Sequence, residues 1–135
     1  MSGETATRTA TRPEADQRPH VAAISREIVK IHCEFFGRGP TKAKTIWRDE
    51  IVVCLLEEIF TKAEKLLVDH GRFAEVRAHR IAFQDEVAPL FRSSVEKVTG
   101  REVKSFLSQV SADGCAAEVF VLGGSAHPPQ SEGGA

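Results

Sequence analysis

The stretch with the most chemical potential runs from Gly37 to Arg48 (GRGPTKAKTIWR), which carries Arg38, Lys42, Lys44 and Arg48 and no acidic residue. Two glycines let backbone amides approach an oxyanion, and Arg38, Gly39, Thr41, Lys42 and Lys44 together could cradle a phosphate or carboxylate. The order of elements differs from a nucleotide-hydrolase phosphate loop, which needs G-x-x-x-x-G-K-[ST] between a strand and a helix N-terminus. Here the loop follows a helix and enters a strand, so the amides and dipole of a helix start are missing. The simpler reading is a helix stop followed by a strand whose lysines face solvent and discourage edge pairing.

The next ten residues, Asp49 to Glu58, carry Asp49, Glu50, Glu57 and Glu58 and no base. A +4 segment therefore lies beside a −4 segment. Cross-strand pairing accounts for part of that arrangement and a polar interface, for example between two copies of the chain, for the rest. Trp47, Arg48, Asp49 and Glu50 at the junction are the interface candidates, with Trp47 as a core or interface anchor. Arg80 joins them: it occupies a stripe position on a long helix where an apolar residue is expected, and the favoured reading buries its stem and keeps its head wet. The alternative is a buried arginine paired with Asp85, Glu86 or Glu57.

Other chemistry finds little support. His32 and Cys33 are adjacent and diverge on a helix, and the remaining His and Cys residues lack C-x-x-C, H-x-x-x-H or E-x-x-H spacing, so neither a metal nor any other cofactor is expected. There is no G-x-S-x-G, and a Cys/His pair such as Cys54 with His79 has no local signature. The expectation is a protein without enzymatic activity. With no Tyr and one Trp, base stacking on single-stranded nucleic acid loses support.

Positioning elements follow from periodicity. Residues 21–36 place Ile24, Ile28, Ile31 and Phe35 on one helical face, and Gly37 and Pro40 end the helix. Residues 41–48 and 50–57 read as a hairpin, its second strand apolar on both faces and so central, with helix on at least one side. Thr61-Lys62-Ala63-Glu64 has capping-box spacing and starts a short helix that reaches about His70. A longer helix carries Phe73, Val76, Arg80, Phe83, Val87 and Leu90 to a stop at Gly100, with Pro89 predicted to kink or break it near 85–89. Residues 101–111 and 115–122 form a second hairpin around Asp113-Gly114. The fold class is α+β: a two-layer sandwich of three helices and a four-stranded, mainly antiparallel sheet in helix–hairpin–helix–helix–hairpin order. The halves match in plan, each a helix ending in Gly-Arg (Gly37-Arg38, Gly100-Arg101) before a strand pair, which suggests a duplication.

The 135 residues suit one domain over 20–122, between expected flexible tails at 1–19 and 123–135. The net charge of −1 argues against a general polyanion binder, since phosphate neutralisation needs a basic excess. The longest apolar run, Ile51 to Leu56, is far below the ~20 residues of a membrane-spanning helix. No apolar segment follows the N-terminal arginines as in a secretory signal, and three widely spaced cysteines fit a reducing compartment, so a cytoplasmic location is expected.

Residues 25–72, with FFGRGPTKAK and TKAEKLL as their most specific pieces, then 76–91 and the closing GREVKSFLSQVSADGCAAEVFVL, resemble the small MpsC-type domain. That family is named for a sodium-translocating, membrane-potential-generating system, and the resemblance spans about residues 22–122. It implies a cytoplasmic accessory or regulatory part of a bacterial membrane system. With no intramembrane carboxylate, the chain does not itself carry sodium. The expectation is a non-enzymatic binding or regulatory domain, a homodimer or bound to another protein, and at most peripherally associated with a membrane complex. A small-anion sensor using the Gly37–Lys44 loop is the alternative, and non-specific nucleic-acid binding along Arg38–Arg48 a weaker one.

Overall fold

The computed structural model describes residues 11–125, with side chains for 17–124. Of the tails expected at 1–19 and 123–135, residues 1–10 and 126–135 lie outside the described residues, whereas 11–19 are helical and 123–125 belong to a strand. Helix α1 spans Thr11–Phe36, strands β1 and β2 span Lys42–Arg48 and Ile51–Glu57, helices α2 and α3 span Lys62–Asp69 and Phe73–Thr99, and strands β3 and β4 span Arg101–Val110 and Ala116–Ser125. This is the expected α+β order of three helices and four strands.

Helix α1 starts ten residues ahead of Val21, inside the segment expected to be a tail. Its polar residues gave no reason to bury, but Ala, Glu, Gln and Arg are good helix formers and Pro13 falls in the first turn, where a missing amide is harmless. Tertiary contact anchors the extension: the His20 ring meets Trp47 of β1 edge-on, with centroids 5.9 Å apart. Of the expected stripe, Ile24, Ile28 and Ile31 are buried, whereas Phe35 is exposed and touches Phe83 at the rim. Phe36 packs inward instead, 4.3 Å from Phe83.

Pro89 lies inside α3, which runs unbroken from Phe73 to Thr99. Of the expected kink or break, the break does not occur. Pro89 and Asp85 are both exposed, so water can satisfy the carbonyl that loses its amide partner. The capping box at Thr61 forms as expected: the Thr61 hydroxyl accepts from the Glu64 amide and the Glu64 carboxylate accepts from the Thr61 amide.

All strand pairs are antiparallel and the sheet order is β1-β2-β4-β3, which puts the second strand of each hairpin at the centre. Helices α1 and α3 pack against one face of this sheet and against each other. Between them lie Val52, Cys54 and Leu56 of β2, Ala116, Phe120 and Leu122 of β4, and Val87, Phe91 and Val95 of α3. An aromatic stack, Phe91–Phe106–Phe120, with centroids 5.5 and 5.0 Å apart, joins α3 to β3 and β4.

The similarity of the two halves extends to their hydrogen bonds. Gly37 and Gly100 both take left-handed backbone, φ 79° and 71°, to close α1 and α3. The arginine after each reaches the chain 22 residues further on: Arg38 Nη1 donates to the Phe60 carbonyl at 2.6 Å and Arg101 Nη2 to the Gly123 carbonyl at 2.6 Å. Each arginine thereby ties its helix end to the far end of its own hairpin.

Cys54 sits under the helices, opposite Thr45 in the register. Burial pushes its thiol up to about 11, against a lowering hydrogen bond with Thr45 and with a further raising contribution from the Glu118 charge. In the native protein at neutral pH, a thiol-reactive chromophore is expected to label the exposed Cys33 and to spare Cys54 until denaturant is added. Equal labelling rates for the two would contradict this burial.

Candidate functional site

The structure divides the five anion candidates rather than gathering them. Arg38 is committed to the Phe60 carbonyl, and the Thr41 hydroxyl donates to a Glu58 carboxylate oxygen at 2.9 Å. Gly39 packs against α1 so closely that a Cβ there would sit 2.6 Å from Cys33 Sγ, so its glycine identity is explained by packing. Lys42 and Lys44 stand on the opposite side of β1, on the outer sheet face opposite Glu57 and Leu55. A cleft near the loop is lined by Arg38 and Lys65 but also by Glu58, Asp69 and Asp113.

The interface candidates separate as well. Trp47 is half-buried beneath α1, and its indole N–H donates to the Asp49 carbonyl at 3.1 Å. Asp49 and Glu50 form the two-residue turn between Arg48 and Ile51, with Asp49 at φ 54°. Arg48 and Asp49 are exposed, and the exposed Glu50 carboxylate lies 3.6 Å from Arg101 Nη2.

Arg80 is no surface group. It is 2% exposed, and the favoured reading of a wet guanidinium is corrected. Its Nε and Nη2 grip Glu64 at 2.7 and 2.5 Å, Nη2 also donates to the Ile59 carbonyl at 3.0 Å, and the guanidinium lies 3.8 Å over the Phe36 ring. The partner is Glu64 rather than Asp85, Glu86 or Glu57, so one carboxylate both caps α2 and neutralises Arg80. Burial pushes the Glu64 carboxyl up, but the Arg80 and Thr61 hydrogen bonds outweigh it and hold it below its usual value. The fork joins α2, α3, the loop after β2 and the end of α1, which is a structural role. In the sequence Glu64 has a sufficient role as the cap of α2, and its spacing gives no sign of Arg80.

A second buried polar group went unnoticed. Glu118 of β4, fully buried, lies 3.8 Å from His32 Nε2 and 3.5 Å from Gln84 Nε2. Alternation along AAEVFVL places Glu118 on the same face as Ala116 and Phe120, a signal available in the sequence. Among the described residues no set of three His, Cys, Asp or Glu side chains is grouped to hold a metal ion.

The broadest exposed feature is the outer face of the sheet. Three rows of side chains cross the strands in the order β1, β2, β4, β3. The middle row is Ile46, Val53, Val119 and Leu107, and beside it run Arg48, Ile51, Val121 and Ser105 on one side and Lys44, Leu55, Ala117 and Gln109 on the other. Leu107 is 58% exposed and Ile46 47%, with Ile51 and Leu55 close behind. All three described helices leave this face uncovered, whereas scattered single apolar residues are the ordinary condition of a surface. The sequence of β2, apolar on both faces, asks for helix on at least one side; one side is what it has.

The geometry defines a two-layer α+β domain with a one-sided sheet, a buried Arg80–Glu64 pair and an outer face whose middle row is apolar. A family model described as "Na+-translocating membrane potential-generating system (MpsC)" matches residues 18–123, and the chain belongs to that family. Searches of curated proteins and of solved structures return no match. No described helix is long and apolar enough to cross a membrane.

Proposed function

We propose that this chain is a non-enzymatic protein-contact domain, an accessory or regulatory part of a membrane-potential-generating system, working on the cytoplasmic side. The observation that carries this reading is the uncovered apolar row Ile46–Val53–Val119–Leu107, which crosses all four strands. A contiguous apolar face of this kind lowers its free energy by docking against another protein surface. Family membership supplies the setting, and the lack of a membrane-length helix among the described residues fits an accessory that docks rather than spans. The charged groups with the best geometry, Arg80 and Glu64, are buried and paired with each other, which supports a structural use of charge.

The test is site-specific photo-crosslinking in the native host. A photoreactive residue at position 107, on the outer face, is expected to give discrete protein adducts, and one at Leu66, exposed on α2, to give none. Absence of any adduct from position 107, or equal adducts from both positions, would sink the proposal.

A further inference from the structure

From the pattern of the outer face we infer that its occupant is a second copy of this chain, docked face to face about a twofold axis that runs parallel to the strands between β2 and β4. This rests on the protein-contact reading above and names its partner.

The face is symmetric in character about the β2/β4 midline. A twofold along that midline lays β1 over the partner's β3 and β2 over the partner's β4. Ile46 then meets Leu107, Val53 meets Val119, Ile51 meets Val121 and Leu55 meets Ala117. Ile46 and Leu107, two of the most exposed large apolar side chains, would cover each other. This is the self-complementarity an isologous interface demands, in which each contact occurs twice.

Charge selects the direction of the axis. The bases of these rows, Lys44 and Arg48, both lie on β1, whereas the matching positions of β3 are the neutral Gln109 and Ser105. With the axis along the strands, each base faces a neutral polar position. A twofold across the strands would instead set β1 on β1 and bring Lys44 towards Arg48, a like-charge contact that specific interfaces avoid.

Four strands about 4.8 Å apart and about seven residues long at about 3.3 Å each give a plan area of roughly 450 Å² per copy. Two such flat faces give roughly 900 Å², and side-chain relief raises this towards the lower limit of the roughly 1,200–2,000 Å² range of stable specific interfaces. Sheets packed in this way keep their strands within about 30° of each other, so the rows stay in contact across the face.

Sedimentation equilibrium of the full chain at micromolar concentrations is expected to show a dimer. Val119→Asp, which puts a charge at the centre of the contact twice, should weaken dimerisation about 100-fold or more. Leu107→Lys, on an exposed edge position that the fold does not need, should also shift the equilibrium to monomer with an unchanged circular dichroism spectrum. Orientation is read in a Cys33→Ser background by mixing an Ile46→Cys chain with a Leu107→Cys chain and adding a short bis-maleimide. Crosslinks between 46 and 107 are expected to predominate, and predominant 46–46 crosslinks would overturn the arrangement. A wild-type monomer that still photo-crosslinks to a different protein from position 107 would overturn the dimer and leave the protein-contact reading standing. A monomer with no adducts would remove both.

Discussion

Replacing Arg80 with methionine is expected to destabilise the fold by about 3–5 kcal/mol, the usual cost of removing one partner from a buried ion pair. Methionine fills much of the aliphatic volume over Phe36, so the loss would come from the hydrogen bonds to Glu64 and the Ile59 carbonyl and from the carboxylate left without its cation. A domain of this size has only about 5–15 kcal/mol to lose, so the variant should unfold at markedly lower urea concentration. Adding Glu64→Gln should recover part of the deficit. Glutamine keeps an oxygen for the Thr61 amide and removes the stranded charge, so the double variant should be more stable than Arg80→Met alone. A double-mutant cycle that shows simple additivity would contradict the coupling.

The same pair predicts an acid dependence. Because the folded Glu64 carboxyl is held below its ordinary value, its contribution is fully present above the unfolded value, about 4.3, and is lost as pH falls through the folded one. Urea midpoints of the wild type should therefore fall on acidification below about pH 4, and the fall should be shallower in Arg80→Met, where the guanidinium that lowers the carboxyl is gone.

Phe120→Ala is expected to cost about 3–5 kcal/mol, the range for deleting a fully buried phenylalanine. Phe120 lies between its cross-strand partners Phe106 of β3 and Val52 of β2, so its loss opens a cavity at the sheet centre and breaks the Phe91–Phe106–Phe120 stack. Its neighbour Val119 points to the other face, where Asp at that position should leave the monomer folded. Adjacent residues of one strand thus separate folding from association, and chemical denaturation beside sedimentation distinguishes them. Comparable unfolding midpoints for the Val119→Asp and Phe120→Ala variants would refute this division of the two faces.

Local signals account for the legible part of the fold. The Thr61–Glu64 box, the stop at Gly100 and the Asp113-Gly114 turn each rest on a backbone preference set by a few neighbouring residues, and all three elements appear where those residues put them. The expected break at Pro89 and the expected tail ahead of Val21 gave way for a shared reason. Pro89 and the polar residues ahead of Val21 were judged by intrinsic preference, whereas surroundings decided both: solvent at Asp85 for the first, and the His20–Trp47 contact for the second.

The candidate site was less legible because its evidence is non-local. Arg80 was recognised as anomalous from its helical stripe, but its partner lies 16 residues away on another helix, and nothing in the spacing distinguishes Glu64 from nearer acids. Likewise Arg38 reads as a loop cation until the Phe60 carbonyl is brought beside it.

By itself the sequence determined the element order, the helix stops at Gly37 and Gly100, the two hairpins and the fact that β2 is apolar on both sides. The tertiary structure alone decided that β2 and β4 are neighbours, that Arg80 and Glu64 neutralise each other in the interior, and that the helices cover one face of the sheet. The physical reason is that side-chain alternation records which faces avoid water but is silent on what covers them. Short-ranged patterns set the elements; the packing of α1 and α3 on a single side leaves the apolar row from Ile46 to Leu107 uncovered.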